Sequence, residues 1–282
     1  MSSKLRLAGR NALITGSDTG IGREIAHEFA REGADIVLHY CHHQEGAESL
    51  AKEIIDMGRR VAVVHADFDD LNDVTALADR ALEAIGPIDC LVNNAGITFN
   101  SPFLKIRPEQ FDKLFNVNFR AQFFLTQSIV ANMLKHSGGT VCNISSIHGL
   151  QGAPEHSAYA ATKGAIIACT RTLSVELAHL GVRVNGIAPG WITVENYYKA
   201  IPDFNEEQAK QDAYNAVPIA RYGQPLDVAR LAVFLSCDES SFMVGQTITL
   251  DGGTTALMSL VSDFRSESTA RFGKEYISET KP

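Results

Sequence analysis

Short apolar runs alternate with longer helical patterns along this chain, and that alternation limits the folds open to it more than any single residue does. The strand candidates are NALITG (11–16), DIVLHY (35–40), RVAVVHAD (60–67), DCLVNNAG (89–96), TVCNISS (140–146), VRVNGIAPG (182–190) and QTITLDGG (246–253). They are rich in Val, Ile and Leu rather than strictly alternating, as strands covered on both faces should be. Between them lie GREIAHEFAREG, GAESLAKEIIDMG, VTALADRALEAIG, one long run from PEQFDKLF to LKHSGG, AYAATKGAIIACTRTLSVELAHLG and PLDVARLAVFLS. Several end at a glycine (Gly33, Gly58, Gly86, Gly181), the residue that most easily takes the left-handed conformation at a helix end. Two open with proline, which suits a first helical turn. Seven strands interleaved with six helices predict an α/β fold: a doubly wound, mostly parallel sheet with helices on both faces. With no linker, low-complexity tract or repeat in between, residues 1–282 are expected to form a single domain.

Two stretches interrupt the alternation. About 34 residues, 191–224, are polar, acidic and tyrosine-bearing. A long excursion in a compact α/β domain is expected to be a binding lid or loop. Beyond LDGG, about 29 residues (254–282) form a C-terminal extension, readable either as a frayed terminus or as a packing arm. The formal net charge of -8 argues against nucleic acid as a partner. No apolar run approaches the roughly 20 residues needed to cross a bilayer. The start, MSSKLRLAGRNALITG, runs almost directly into a strand, so no signal peptide is expected. The five cysteines (Cys41, Cys90, Cys142, Cys169, Cys237) are scattered without a C-x-x-C pair. They read as reduced thiols of a cytoplasmic protein. His42, His43, His148 and His156 lack metal-ligand spacing, so no metal is expected.

Chemistry-bearing residues cluster at strand ends. TGSDTGIG joins the first strand to the first helix, and Gly16, Gly20 and Gly22 remove side chains that would block a pyrophosphate from the helix start. In AYAATKG, Tyr159 precedes Lys163 by four residues, so a phenol and an ammonium share one helical face. That pair alone reads equally well as two polar residues on a wet surface.

Taken in order, G-x-x-x-G-x-G, NNAG at 93–96, the serines closing a strand, YAATK and then APG resemble the short-chain dehydrogenase/reductase family over about residues 8–253. The resemblance implies a Rossmann fold and a nicotinamide-dependent oxidoreductase. It makes Tyr159 the general acid/base, with Lys163 lowering the phenol's pKa and holding the nicotinamide ribose. Ser146, thirteen residues before Tyr159, would bind the reacting oxygen, the spacing favouring it over Ser145. Asn118 rather than Asn116 matches the asparagine that holds a water behind the lysine. Cofactor contacts are implied for Gly16, Ser17, Asp18, Gly20, Ile21 and Gly22 of the turn, for Tyr40 and His42 after the second strand, and for Asp67 at the adenine. They are implied as well for Asn93, Ala95 and Gly96, near the adenosine ribose and the sheet centre, and for Pro189, Gly190, Ile192 and Thr193, near the nicotinamide carboxamide. The family often has a hydroxyl residue at the position of Val194. Here it lies on Thr193, which either substitutes or leaves the contact absent.

No carboxylate closes the second strand, where NAD-preferring members carry one. NADP is therefore expected ahead of NAD, with His42 and His43 able to meet a 2′-phosphate when protonated or simply to be wet loop residues. Substrate contacts are expected from Ser146, His148, Tyr159 and Glu195. The polar lid points to a small sugar or polyol. A 3-oxoacyl carrier-protein-type reductase is the alternative, and a catalytically silent dinucleotide-binding sensor a weaker one. The resemblance also implies a homo-oligomer, dimer or tetramer, built on the last helix and strand.

Overall fold

Seven strands form on the seven apolar runs, in a computed structural model that describes residues 5–194, 204–258 and 265. They are β1 Asn11–Ile14, β2 Asp35–Tyr40, β3 Val61–His65, β4 Cys90–Asn93, β5 Gly139–Ile144, β6 Val182–Pro189 and β7 Thr247–Leu250. All neighbours pair in parallel, in the order β3-β2-β1-β4-β5-β6-β7. The helices are α1 Gly20–Arg31, α2 Gln44–Asp56, α3 Leu71–Ile85, α4 Pro108–Phe115, α5 Ala121–Met133, α6 Ser157–Leu177, α7 Glu206–Ala216 and α8 Pro225–Ser236.

Period-two alternation divides the core into two layers. Ala12 and Ile14 of β1, Ile36 and Leu38 of β2 and Ile187 of β6 pack against α1, α2 and α8. Leu13, Val37, Leu91, Val141 and Val184 point the other way, onto α3 and α5, with Leu173 and Leu177 of α6 at the margin. Each strand between the edges is therefore apolar on both faces, which is why these runs lack polar alternation. Strand order reverses between β1 and β4, so the loops leaving those two strands diverge and open a crevice at their carboxyl ends.

Two departures from the sequence reading bear on the site. The long run after Pro108 is not one helix: a turn of π-helix, Asn116–Arg120, separates α4 from α5. The stretch expected to form a lid, 191–224, includes an unforeseen helix, α7, started by Asn205, whose side chain accepts from Gln208 N. Of the extension, residues 254–258 and Arg265 are described. Arg265 donates to Val217 O at 2.7 Å and lies over the Tyr214 ring, 4.5 Å from its centroid. No helix among the described residues is long and apolar enough to cross a membrane. Cys90 and Cys142 are core thiols that burial pushes up to about 11 and about 12, and both are free.

Candidate active site

The turn after β1 is assembled from backbone. Gly16 and Gly20 hold φ of 61° and 56°, a region that side chains disfavour. A Cβ on Gly22 would collide with Gly16 O and the Asn94 amide. Asn94 is the brace: its Nδ2 donates to Thr15 O and Gly16 O, both at 3.0 Å. Thr15 Oγ1 accepts in return from Asn94 N at 2.9 Å and Ala95 N at 3.0 Å. The β1 turn and the start of the β4 loop are thus tied together beside the crevice. Thr19 begins α1 without a side-chain cap, so the first amides of the helix keep their hydrogens for a ligand anion. Bare glycine backbone, close packing and an uncapped helix start fit the pyrophosphate of a dinucleotide.

Not every predicted contact faces the crevice. Ser17 is fully buried, and its hydroxyl accepts from His39 N at 3.0 Å. Asn93 points into the protein, where Nδ2 donates to Thr126 Oγ1 and Asn143 Oδ1, both at 2.9 Å. The side chains of these two expected contacts are therefore structural, because strand alternation and the turn's own bonding carry them inward. Asp18, Ile21, Tyr40, Ala95 and Gly96 are partly or fully accessible, as are His42 and Asp67. Burial holds the Asp18 carboxyl above its usual value, against the lowering effect of a backbone hydrogen bond and then of His43 and His42. Asp67 accepts from Asp69 N at 2.9 Å.

The second group of residues stands at the ends of β4 and β5 and on α6. Lys163 Nζ lies 5.6 Å from the centroid of the Tyr159 ring, so the two groups do share a face. The lysine is 5% exposed and donates to Ile144 O at 3.0 Å. Burial pushes its ammonium down to about 8. Asn118 is sealed beneath: Oδ1 accepts from Ile97 N at 2.8 Å, and Nδ2 donates to Ile97 O and Thr162 Oγ1 at 2.9 and 3.2 Å. A Cβ on Gly96 would lie 3.2 Å from Asn118 Oδ1 and 3.8 Å from Lys163 Nζ. The π-turn delivers Asn118 to this position, an irregularity frequent at functional sites. Asn116 points elsewhere, to Asp69.

The adjacent serines divide their labour. Ser145 donates to Lys163 O at 2.8 Å and pins α6 to the end of β5. Ser146 Oγ instead accepts from His148 N at 3.2 Å, which leaves its hydrogen to give. His148 meets the Tyr159 ring edge-on at 5.7 Å and stacks on His156 at 4.4 Å. Burial, then the charge of His156, hold the His148 imidazole below its usual value.

At the end of β6, Pro189 pairs with Leu250, and just past it Gly190 fits closely against Asp251, whose Cβ lies 2.7 Å from the place a Gly190 Cβ would occupy. Ile192 is buried. Val194 packs against Gly20, whereas Thr193 lines a cavity of about 530 Å³ under α7 with Trp191, Phe204 and Tyr222. Glu195 lies outside the described residues, so its expected substrate contact does too. Thr15, Asn94 and His39 were missed by sequence reasoning. Asn94 had a signal, its place inside NNAG; the other two depend on tertiary neighbours.

A family model described as enoyl-(acyl carrier protein) reductase matches residues 16–255. The 3-oxoacyl-[acyl-carrier-protein] reductase FabG of Thermotoga maritima is 36% identical over 249 residues, 88% of this chain and 99% of that protein. Oxidoreductase UcpA of Salmonella typhimurium is 37% identical over 254 residues, 89% and 96% of the two chains. Among solved structures, a 7α-hydroxysteroid dehydrogenase complexed with NADH and 7-oxo glycochenodeoxycholic acid superposes with a TM-score of 0.83 at 34% identity, covering 90% of this chain and 97% of that one. A Beutenbergia cavernae protein described as an NAD(P)-dependent gluconate 5-dehydrogenase with bound NADP gives 0.83 at 36% identity, covering 90% and 100%. With its motifs, parallel sheet and relatives in agreement, the chain belongs to the short-chain dehydrogenase/reductase family, nicotinamide-dependent oxidoreductases of alcohol and carbonyl groups.

Proposed function

We propose that this protein moves hydride between NADP(H) and a small sugar or polyol, with Tyr159 as general acid/base. The observation that carries the reading is the buried Lys163 ammonium 5.6 Å from the Tyr159 ring centroid. The nicotinamide supplies or accepts the hydride when bound. In reduction Tyr159 gives its phenolic proton to the substrate oxygen; in oxidation it takes the hydroxyl proton. A free phenol titrates near ~10, and a cation beside it favours the phenolate. Ser146 donates to the oxygen on which charge develops. Asn118 spends its side chain on Ile97 and Thr162, so a water behind Lys163 falls to its main chain. Gly16, Gly20, Gly22 and the start of α1 hold the pyrophosphate. Asp67 meets the adenine, and Gly96 and Gly190 admit the nicotinamide half.

The choice of NADP is supported by Tyr40 and Cys41 standing where an NAD enzyme places an acid, and by the exposed His42 and His43 after them, able to meet a 2′-phosphate when protonated. A polyhydroxylated substrate is supported by Asn205, Gln208 and Asp212 around the α7 cavity and by the stacked Trp191–Tyr222 pair, 5.1 Å apart. The FabG relatives favour a second reading, 3-oxoacyl thioester reduction. Against an acidic carrier protein stands the acidic first turn of α7, Glu206 and Glu207. A panel of sugars, polyols and acetoacetyl thioesters, each assayed with both dinucleotides at the reduced-nicotinamide absorbance, tests all of this. Turnover of sugars with a higher kcat/KM for NADP(H) is expected. Activity on thioesters alone ends the sugar reading, and a higher kcat/KM with NAD(H) ends the NADP one.

The protein is also proposed to act as a homo-oligomer. The sheet edge at β7 and the fully exposed Phe242 beside it support contacts through this end of the molecule.

A further inference from the structure

His39, the penultimate residue of β2, touches two segments far apart in sequence, the turn after β1 and the stretch after β3. Gly16 N donates to its Nδ1 at 3.0 Å. Its Nε2 lies 3.0 Å from Ala66 O. An Nδ1 that accepts must be bare, so the proton sits on Nε2 and is donated to Ala66. The ring stacks on Phe68 at 4.5 Å, and the residue is 2% exposed. Its main chain joins the same turn through Ser17 N, which donates to His39 O at 2.9 Å.

We propose that His39 is a positioning residue for the cofactor, a neutral imidazole strut that fixes the pyrophosphate turn at Gly16 relative to the adenine side at Ala66 and Asp67. The proposal rests on the dinucleotide reading given above. Gly16 has no side chain with which to be braced, and at φ 61° it sits 3.0 Å, by its would-be Cβ, from Ala95 Cα. Its N–H is therefore a second handle on the turn, beside the Asn94 amide that holds Gly16 O. An apolar residue at 39 would take away the partner of that part-buried N–H and of the carbonyl of the buried Ala66. A protonated ring would set Nδ1–H against Gly16 N–H, two donors face to face. Burial prevents that state by pushing the imidazole down to about 4. The Ala66 carbonyl and Asp73 favour the cation, while His65 on β3 and Arg80 on α3 oppose it.

The test compares full-length wild-type protein with His39→Leu, His39→Asn and His39→Gln by fluorescence titration with NADPH and NADH, and by steady-state kinetics. Loss of the strut is expected to raise the Kd and KM of both dinucleotides roughly tenfold in His39→Leu while kcat at saturation stays within about twofold. His39→Gln, whose amide offers one acceptor and one donor, should bind within about threefold of wild type. The shorter His39→Asn should fall between them. Should His39→Leu not fold, the comparison is read on His39→Asn against His39→Gln. Equal Kd values across the series, or a fall in kcat with Kd unchanged, overturn the role of His39 alone. Wild-type protein that binds neither dinucleotide overturns the cofactor reading, and this proposal with it.

Discussion

Lys163 is held where an ammonium costs most. It is 5% exposed, and burial takes it from 10.5 to about 8. Between those two values the unfolded chain keeps the proton that the folded chain has released, so stability rises with pH across that window and is lowest below it. Replacing Lys163 by Met is expected to abolish turnover yet stabilise the fold by about 2 kcal/mol at pH 7, after allowing for the lost bond to Ile144 O. Urea melts at pH 7 and pH 10 check this: the gain should shrink at the higher pH, and an equal or larger gain there contradicts it. The Tyr159–Lys163 pair was legible in the sequence because a helix converts a spacing of four directly into proximity. Ser146 was legible through its spacing to Tyr159, and the structure adds the reason Ser145 is excluded, its hydroxyl being spent on Lys163 O. His39 was illegible. A histidine in an apolar strand shows no partner until Gly16 and Ala66 arrive from the segments that follow β1 and β3.

The β1–α1 element depends on Gly22, which brings the first turn of the helix against Gly16 O and the Asn94 amide. Gly22→Ala should cost about 2–4 kcal/mol, since the atoms it meets are backbone and a braced amide rather than a flexible side-chain end. A thermal melt reads that loss, and a shift under 1 °C would show the turn to be more yielding than its packing implies. Helix α7 was not read from the sequence because its residues are mostly polar, with Ala213 buried and little apolar periodicity to detect. Local devices sustain it instead: the Asn205 cap and Lys210 paired with Glu206 at 3.3 Å and Glu207 at 2.9 Å. Exposed pairs of this kind contribute little, so the cap should dominate. Asn205→Ala is expected to weaken α7 by about 1 kcal/mol. Amide exchange over 206–216 should quicken several-fold, and unchanged protection there counts against the cap. The π-turn also escaped the sequence reading, because NVNFR fits an unbroken helix until Asn118 is drawn toward Ile97 and Thr162.

The molecule as a whole folds as its alternation dictates: a parallel sheet with two apolar layers, and a crevice where strand order reverses between β1 and β4. Two sequence predictions, Ser17 and Asn93, belong to the supports of that crevice rather than its surface. Patterning reveals which residues are near a strand end and leaves open which way each one turns. The same supports govern acid stability. His39, normally 6.5, is held at about 4 in the fold, so its contribution is complete above 6.5 and is lost as pH falls toward 4. Between pH 7.5 and 5, wild type should lose about 2 kcal/mol that His39→Gln does not. Denaturant melts of the two proteins read this difference, and parallel acid profiles would contradict it. The proposed homo-oligomer is tested at the same scale: with contacts through this end of the molecule, Phe242→Asp lowers the mass seen by light scattering, and an unaltered mass overturns that interface. The most direct test of the account joins cofactor binding to proton transfer in one substitution, Tyr159→Phe, which removes only the phenolic oxygen. Single-turnover reduction should slow by at least roughly 10³-fold while the dinucleotide Kd stays within about threefold of wild type. Hydride transfer at the wild-type rate in that variant would remove Tyr159 from the chemistry.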